Sequence, residues 1–272
     1  MSIKFKIHAK PRVEAEKNFV QFESFKKAGV KHCFTTKHGG VSTGFYESMN
    51  MGFNRGDEKE NVKQNYNLAC EFMGICPDRL AYTSQTHGKK IRVVSEADFE
   101  NGYTLKNCDG IMTNTPGITL VSLYADCVPL FFYDLVKRVA ALAHAGWRGT
   151  LLEIGALTVK KMVKEFKSKP SDILAAVGPS IGKCCFEVDG DVAFGFYNTG
   201  KFNDLIENKG NGKYMIDLWG INRRSLEAVM PSGNIEISGI CTKCNADRFF
   251  SHREMGENRG CMAAFISADE RR

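Results

Sequence analysis

Residues 117–150 read G-I-T-L-V-S-L-Y-A-D-C-V-P-L-F-F-Y-D-L-V-K-R-V-A-A-L-A-H-A-G-W-R-G-T. Two apolar runs, 118–123 and 130–133, flank Asp126-Cys127 and Pro129, and a third, 139–144, follows a short charged turn at 134–138. Short apolar runs bounded by such breaks are strand signals, and Pro129 is expected to help stop the first strand. Directly afterwards, Leu152, Ile154, Leu157, Val159, Met162, Val163 and Phe166 recur at helical spacing, which predicts a helix over 151–166. Thr150 and Glu153 form a capping box at its start, and a Lys-rich last turn precedes Pro170. Strand, loop and helix in this order give an α/β fold. Strands joined by short turns make the central sheet mixed rather than purely parallel. Outward from this centre, helices are expected at 60–73 and 219–229. Further strands are expected at 33–36, 91–94, 174–177 and 235–238. No linker or internal repeat divides the chain, so residues 1–272 read as a single domain with flanking helices.

Composition narrows the function classes. The chain is 43% hydrophobic and 25% charged, which is globular composition. Its net charge of +6 is mild and spread out, which argues against a nucleic-acid partner. The cluster Lys160, Lys161 and Lys164 reads as a solvated helix face. No run reaches the ~20 apolar residues of a membrane helix. The N-terminal M-S-I-K-F-K-I-H-A-K lacks the apolar core of a signal peptide. Ten cysteines without a secretion signal point to a reducing, cytoplasmic setting. Nothing in the sequence indicates a protein partner.

The chemistry concentrates at strand ends. His87 in Q-T-H-G, Cys127 in A-D-C-V-P-L and His144 in A-H-A-G-W-R-G-T make three ligands for a transition metal with a fourth position left open. Read singly, each is more readily a buried thiol or a satisfied core histidine. Cys127 with His144 would also serve as a nucleophile and base without metal. Arg148 offers a planar fork for phosphate, helped by N–H groups at the helix start near Thr150. Asp126, beside the cysteine, is a candidate for assisting a leaving group. Cys241-Thr-Lys-Cys244 is a lone C-x-x-C, and the adjacent Cys184 and Cys185 read as part of a packed loop. His38 and His252 fit either a pocket or an exposed loop.

Taken together, these motifs resemble the YfiH-type family, also called the multicopper polyphenol oxidase or laccase-domain family, whose members are regarded as purine nucleoside phosphorylases. The resemblance covers about residues 31–266 and includes T-T-K-H-G-G-V-S at 35–42, S-M-N-M-G at 48–52 and G-P-S-I-G-K-C-C-F-E-V at 178–188. It also takes in F-F-S-H-R at 249–253 and N-R-G-C-M-A-A-F-I at 258–266. It implies zinc on His87, Cys127 and His144, with Lys37, Asn50, Gln85 and Ser180 lining the substrate site. The implied reaction is phosphorolysis of adenosine, inosine and 5′-methylthioadenosine to free base and the ribose 1-phosphate, with adenosine deamination alongside. Lys37 departs from the Arg frequent in T-R-x-G-G, Tyr66 from the usual N-R, and His252 from a common Tyr. Copper is the alternative ion, but the chain has six histidines and no H-x-H pair for a true multicopper oxidase.

Overall fold

In the computed structural model, residues 13–15, 18–100 and 107–268 are described. The expected mixed sheet is built as two six-stranded sheets packed face to face, with a small three-stranded sheet beside them. The first runs in the order β1 (Val13–Ala15), β2 (Phe19–Phe22), β3 (His32–Thr35), β15 (Met262–Ser267), β7 (Thr119–Tyr124) and β4 (Leu80–Tyr82). The second runs β14 (Ile235–Ile237), β10 (Ile173–Val177), β8 (Val128–Asp134), β9 (Ala140–Ala145), β6 (Gly110–Thr113) and β5 (Ile91–Val93). The pairs β4–β7, β10–β14 and β5–β6 are parallel, and the remaining pairs are antiparallel. The third sheet is antiparallel: β11 (Glu187–Asp189), β13 (Lys213–Ile216), β12 (Ile206–Gly210). The α-helices are α1 (Glu23–Lys27), α2 (Lys59–Met73), α3 (Ala97–Glu100), α4 (Trp147–Leu151), α5 (Ile154–Phe166), α6 (Gly190–Tyr197), α7 (Leu218–Glu227) and α8 (His252–Met255).

Four layers result: α2, the first sheet, the second sheet, then α5 with α7. Every residue of β8 is buried. Phe131 and Tyr133 point into the inter-sheet core with Phe22, Phe34, Leu120 and Met262, while Leu130 and Phe132 join Ile154, Val159, Met162 and Leu226 beneath the helices. Burial on both faces explains an unbroken apolar run where a half-exposed strand would alternate. Gly155 lets α5 approach β8 closely, since a Cβ there would stand 3.0 Å from Leu130 Cδ1. On the outer face of the first sheet, Phe19, Cys33, Val121 and Phe265 meet Val62, Tyr66, Ala69 and Met73. Tyr66, an expected departure from the family pattern, is a packing residue: its hydroxyl donates to the Met51 carbonyl at 3.0 Å.

Two local expectations are corrected. Pro129 lies inside β8, opposite His144, instead of stopping a strand. The helix expected over 151–166 is two helices: Glu153 has φ +54 and breaks the chain between α4 and α5. Leu152 is exposed in that break, outside the apolar stripe. The capping box does not form, because Thr150 lies within α4 and its hydroxyl donates to the Ala145 carbonyl at 3.2 Å.

Candidate metal centre

Cys127 sits on the crossover that carries the chain from β7 in the first sheet to β8 in the second. The turn is made at Asp126, whose φ of +82 is a left-handed conformation. Its carboxylate holds the turn by accepting from Thr242 Oγ1 at 2.6 Å, Ser251 Oγ at 2.9 Å and the Arg253 N–H at 2.7 Å. Both oxygens of Asp126 are therefore engaged by protein donors. His144 is the penultimate residue of β9. His87 follows β4 on a loop, with φ +57.

Asp109, fully buried, ties the two histidines together. It accepts from His144 Nδ1 at 2.9 Å and from the N–H groups of His87 at 2.9 Å, Gly88 at 2.8 Å and Thr86 at 3.1 Å. The His144 N–H also donates to the Asp109 carbonyl at 2.6 Å. One carboxylate thus orients the His144 ring and shapes the His87 loop. Sequence reasoning missed it: C-D-G at 108–110 reads as an Asp-Gly turn.

The outcome is convergence. Donor atoms of His87, Cys127 and His144 lie within 4.8 Å of one another, and the imidazole rings are 4.8 Å apart at 76°. With Nδ1 on Asp109, His144 presents Nε2 to the centre. Gly146 makes room: a Cβ there would be 2.9 Å from His87 Nδ1 and 3.2 Å from Cys127 Sγ. Two imidazoles, one thiol and a carboxylate behind a ligating ring are the donor chemistry of a three-ligand zinc site with an open position. The residues fit such an ion.

Electrostatics agree. Burial lowers the His87 pKa, and the neighbouring His144 charge lowers it further, which favours the neutral ring that binds metal. Burial opposes charge on His144, but the adjacent Cys127 charge and the hydrogen bond to Asp109 push it up to about 9. Burial would raise the Asp109 carboxyl, yet the hydrogen bonds from His144, Gly88 and Thr86 hold it well below the usual carboxylate range. A metal ion held there would take the place of the His144 Nε2 proton, so its affinity would fall on acidification.

Arg148 is exposed beside this centre, its guanidinium 4.2 Å from the Trp147 ring centroid. The Thr150 N–H itself is closed onto the Gly146 carbonyl at 2.8 Å. Lys37 Nζ donates to the Ala246 carbonyl at 2.8 Å. Asn50 is buried, donating to Asp57 at 2.9 Å and accepting from the Cys261 N–H at 3.0 Å, which brings the 35–50 segment against the C-terminal motif. Gln85 Nε2 donates to the Leu123 carbonyl at 2.8 Å, and buried Ser180 accepts from Trp219 Nε1 at 2.6 Å. These four have internal partners. His252 is exposed at the first position of α8, its Nδ1 3.4 Å from Arg259 Nε. Arg259 and Arg55 were not foreseen. Burial pushes the Cys261 thiol up and the Arg259 and Arg55 charges pull it back; Arg259 Nη1 stands 3.5 Å from Cys261 Sγ.

Known proteins carry the same arrangement of sequence. Residues 31–269 match the family model described as multi-copper polyphenol oxidoreductase laccase. The chain belongs to this laccase-like family. It is 37% identical over 244 residues to purine nucleoside phosphorylase YlmD of Bacillus subtilis (strain 168), covering 87% of this chain and 88% of that protein. A purine nucleoside phosphorylase of Bacteroides thetaiotaomicron is 36% identical, covering 91% and 95%. The crystal structure of YlmD from Geobacillus stearothermophilus superposes with a TM-score of 0.90 at 34% identity, covering 96% of this chain and 100% of that one. Despite the family's laccase description, the described residues contain one histidine-bearing cluster of three metal donors.

Proposed function

We propose that the chain is a zinc-dependent purine nucleoside phosphorylase acting on adenosine, inosine and 5′-methylthioadenosine, with adenosine deamination at the same site. The observation that carries the reading is the convergence of His87, Cys127 and His144 in front of Asp109, with the Arg148 guanidinium alongside. The names of its relatives supply the reaction class. When bound, zinc supplies Lewis acidity and activates water, which is what hydrolytic deamination at purine C6 requires. In phosphorolysis a phosphate oxygen forms a bond to the anomeric carbon as the bond to the base breaks. The protein's part is to hold phosphate at that carbon. In this reading Arg148 is the fork that holds it. Ten free thiols fit a reducing, cytoplasmic setting.

The test is incubation of the chain with adenosine with and without phosphate. Ribose 1-phosphate and adenine are expected with phosphate, and inosine without it. Adenine release that ignores phosphate would sink the phosphorylase reading. Arg148→Ala should raise the KM for phosphate at least tenfold with zinc retained, and Arg148→Lys should also be impaired, since a point charge does not replace the fork. A second reading draws on the line Cys127–His144–Asp109, which is also the layout of a cysteine nucleophile, its base and the base's orienting carboxylate. Cys127→Ala separates the two: loss of both nucleoside activities together with zinc supports the metal site. Retained phosphorolysis with loss of an esterase activity supports the dyad.

A further inference from the structure

The two cysteine pairs that look unrelated in sequence form one cluster. Cys184, Cys185, Cys241 and Cys244 each place a sulfur within 4.8 Å of the other three. Topology brings them together: β10 and β14 are parallel neighbours, so the loops leaving their C-terminal ends emerge side by side. Those loops are stitched by an isolated parallel bridge between Ser180 and Cys241. The Thr242 N–H donates to the Ser180 carbonyl at 3.0 Å.

We propose that Cys184, Cys185, Cys241 and Cys244 hold a second, structural zinc ion with a donor set separate from His87, Cys127 and His144. Cys244 Sγ lies 3.5 Å from Cys184 Sγ and 3.4 Å from Cys185 Sγ, so no disulfide joins it to either. Four thiolates around one tetrahedral zinc at ~2.3 Å stand ~3.8 Å apart, in the range of the spacings seen here. A disulfide needs ~2.05 Å between two sulfurs and leaves the other two without a role. Backbone N–H groups already face the sulfur of Cys241: Gly182 at 3.3 Å and Cys244 at 3.5 Å. Such donors favour the thiolate form over the thiol. A closed all-sulfur set with no open position is structural in kind. Arg253 donates to the carbonyls of Cys185 at 3.1 Å and Glu187 at 2.9 Å, placing a cation beside the dianionic zinc–thiolate group. On binding, the four thiols give up their protons to solvent and the ion takes their place.

The site also reaches the first centre. Thr242, between two of the ligands, donates to Asp126, and Asp126 carries Cys127 on its turn. Metal content of the full-length chain, purified under reducing conditions, tests the proposal. Two zinc ions per chain are expected in the unsubstituted protein and one in Cys127→Ala. X-ray absorption of the ion left in Cys127→Ala should show sulfur neighbours alone. The pair Cys184→Ser with Cys185→Ser should lose that ion specifically, leaving a shell of nitrogen and sulfur. A count of one that Cys127→Ala leaves unchanged supports the cysteine site and counts against the other. A metal-free Cys127→Ala, a nitrogen-containing shell in it, or a disulfide among the four cysteines by mass spectrometry overturns the proposal.

Discussion

The geometry of the three candidate metal donors depends on Asp109 and Gly146. Asp109 supplies the carboxylate behind His144 and receives three backbone N–H groups of the His87 loop. Asp109→Asn puts an amide NH₂ or a single neutral acceptor where five donors converge. Loss of such an outer partner costs roughly 10–100-fold in metal affinity. Competition with a zinc chelator should show that weakening, and an unchanged affinity would remove Asp109 from the site. Gly146 has φ −58, so alanine meets no backbone penalty there. Its Cβ would instead stand 2.9 Å from His87 Nδ1. Gly146→Ala should therefore lose metal while keeping its melting temperature nearly intact. The convergence of His87, Cys127 and His144 was legible because Cys127 and His144 sit where apolar runs break, His87 shares their strand-end setting, and all three carry ligand chemistry. Asp109 was not, because an Asp before Gly looks the same in a turn as in a buried orienting carboxylate. The cysteine quartet was hidden for another reason: about 55 residues separate its pairs in the chain, and only the parallel pairing of β10 with β14 joins them.

At the scale of elements, periodicity placed the central strands and α2, α5 and α7 within a few residues, since burial sets both pattern and structure. It failed where conformation is set by single residues. Glu153 adopts φ +54 between α4 and α5, a conformation that costs an L-residue ~1–2 kcal/mol. Its carboxylate meets Lys201 in a solvent-exposed ion pair that offsets little. Glu153→Gly relieves the left-handed strain, while the freer unfolded chain takes part of the gain back. A stabilisation of ~0.5 kcal/mol follows from the balance of these terms. Urea denaturation checks it, and a destabilised variant would mean the Lys201 pair outweighs the strain. The sequence offered a capping box at this point because T-x-x-E satisfies the pattern. Nothing local says that Thr150 will turn inward to Ala145 and to Asn222 Nδ2, which donates to it at 3.0 Å.

Across the whole molecule, the inter-sheet core contains one titratable ring whose charge the fold does not tolerate. His32, on β3, lies among Phe22, Phe25 and Phe131, with ring centroids at 5.6, 5.1 and 6.4 Å. Its Nε2 accepts from the Phe22 N–H at 2.8 Å, and its Nδ1 faces the Val30 carbonyl at 2.8 Å. Those two bonds fix the neutral ring with the proton on Nδ1, and they leave no acceptor for a second proton. Burial lowers its pKa from 6.5 to about 4, the Val30 carbonyl works against that, and Lys26 adds to the lowering. Between these two values the unfolded chain binds a proton that the folded chain does not. Stability is therefore complete above about pH 6.5 and is lost as the pH falls toward about 4. The full difference is ~3 kcal/mol, a large share of the ~5–15 kcal/mol that holds a protein folded. Unfolding free energy measured by denaturant should decline across that window, before buried carboxylates begin to protonate. His32→Leu keeps the apolar packing but orphans the Phe22 N–H, so it should start lower in stability and show a flatter profile from pH 6.5 to 4. If the unsubstituted chain is equally stable at pH 6.5 and 4.5, His32 accepts its proton within the fold, and the closed core between the sheets is looser than its packing indicates.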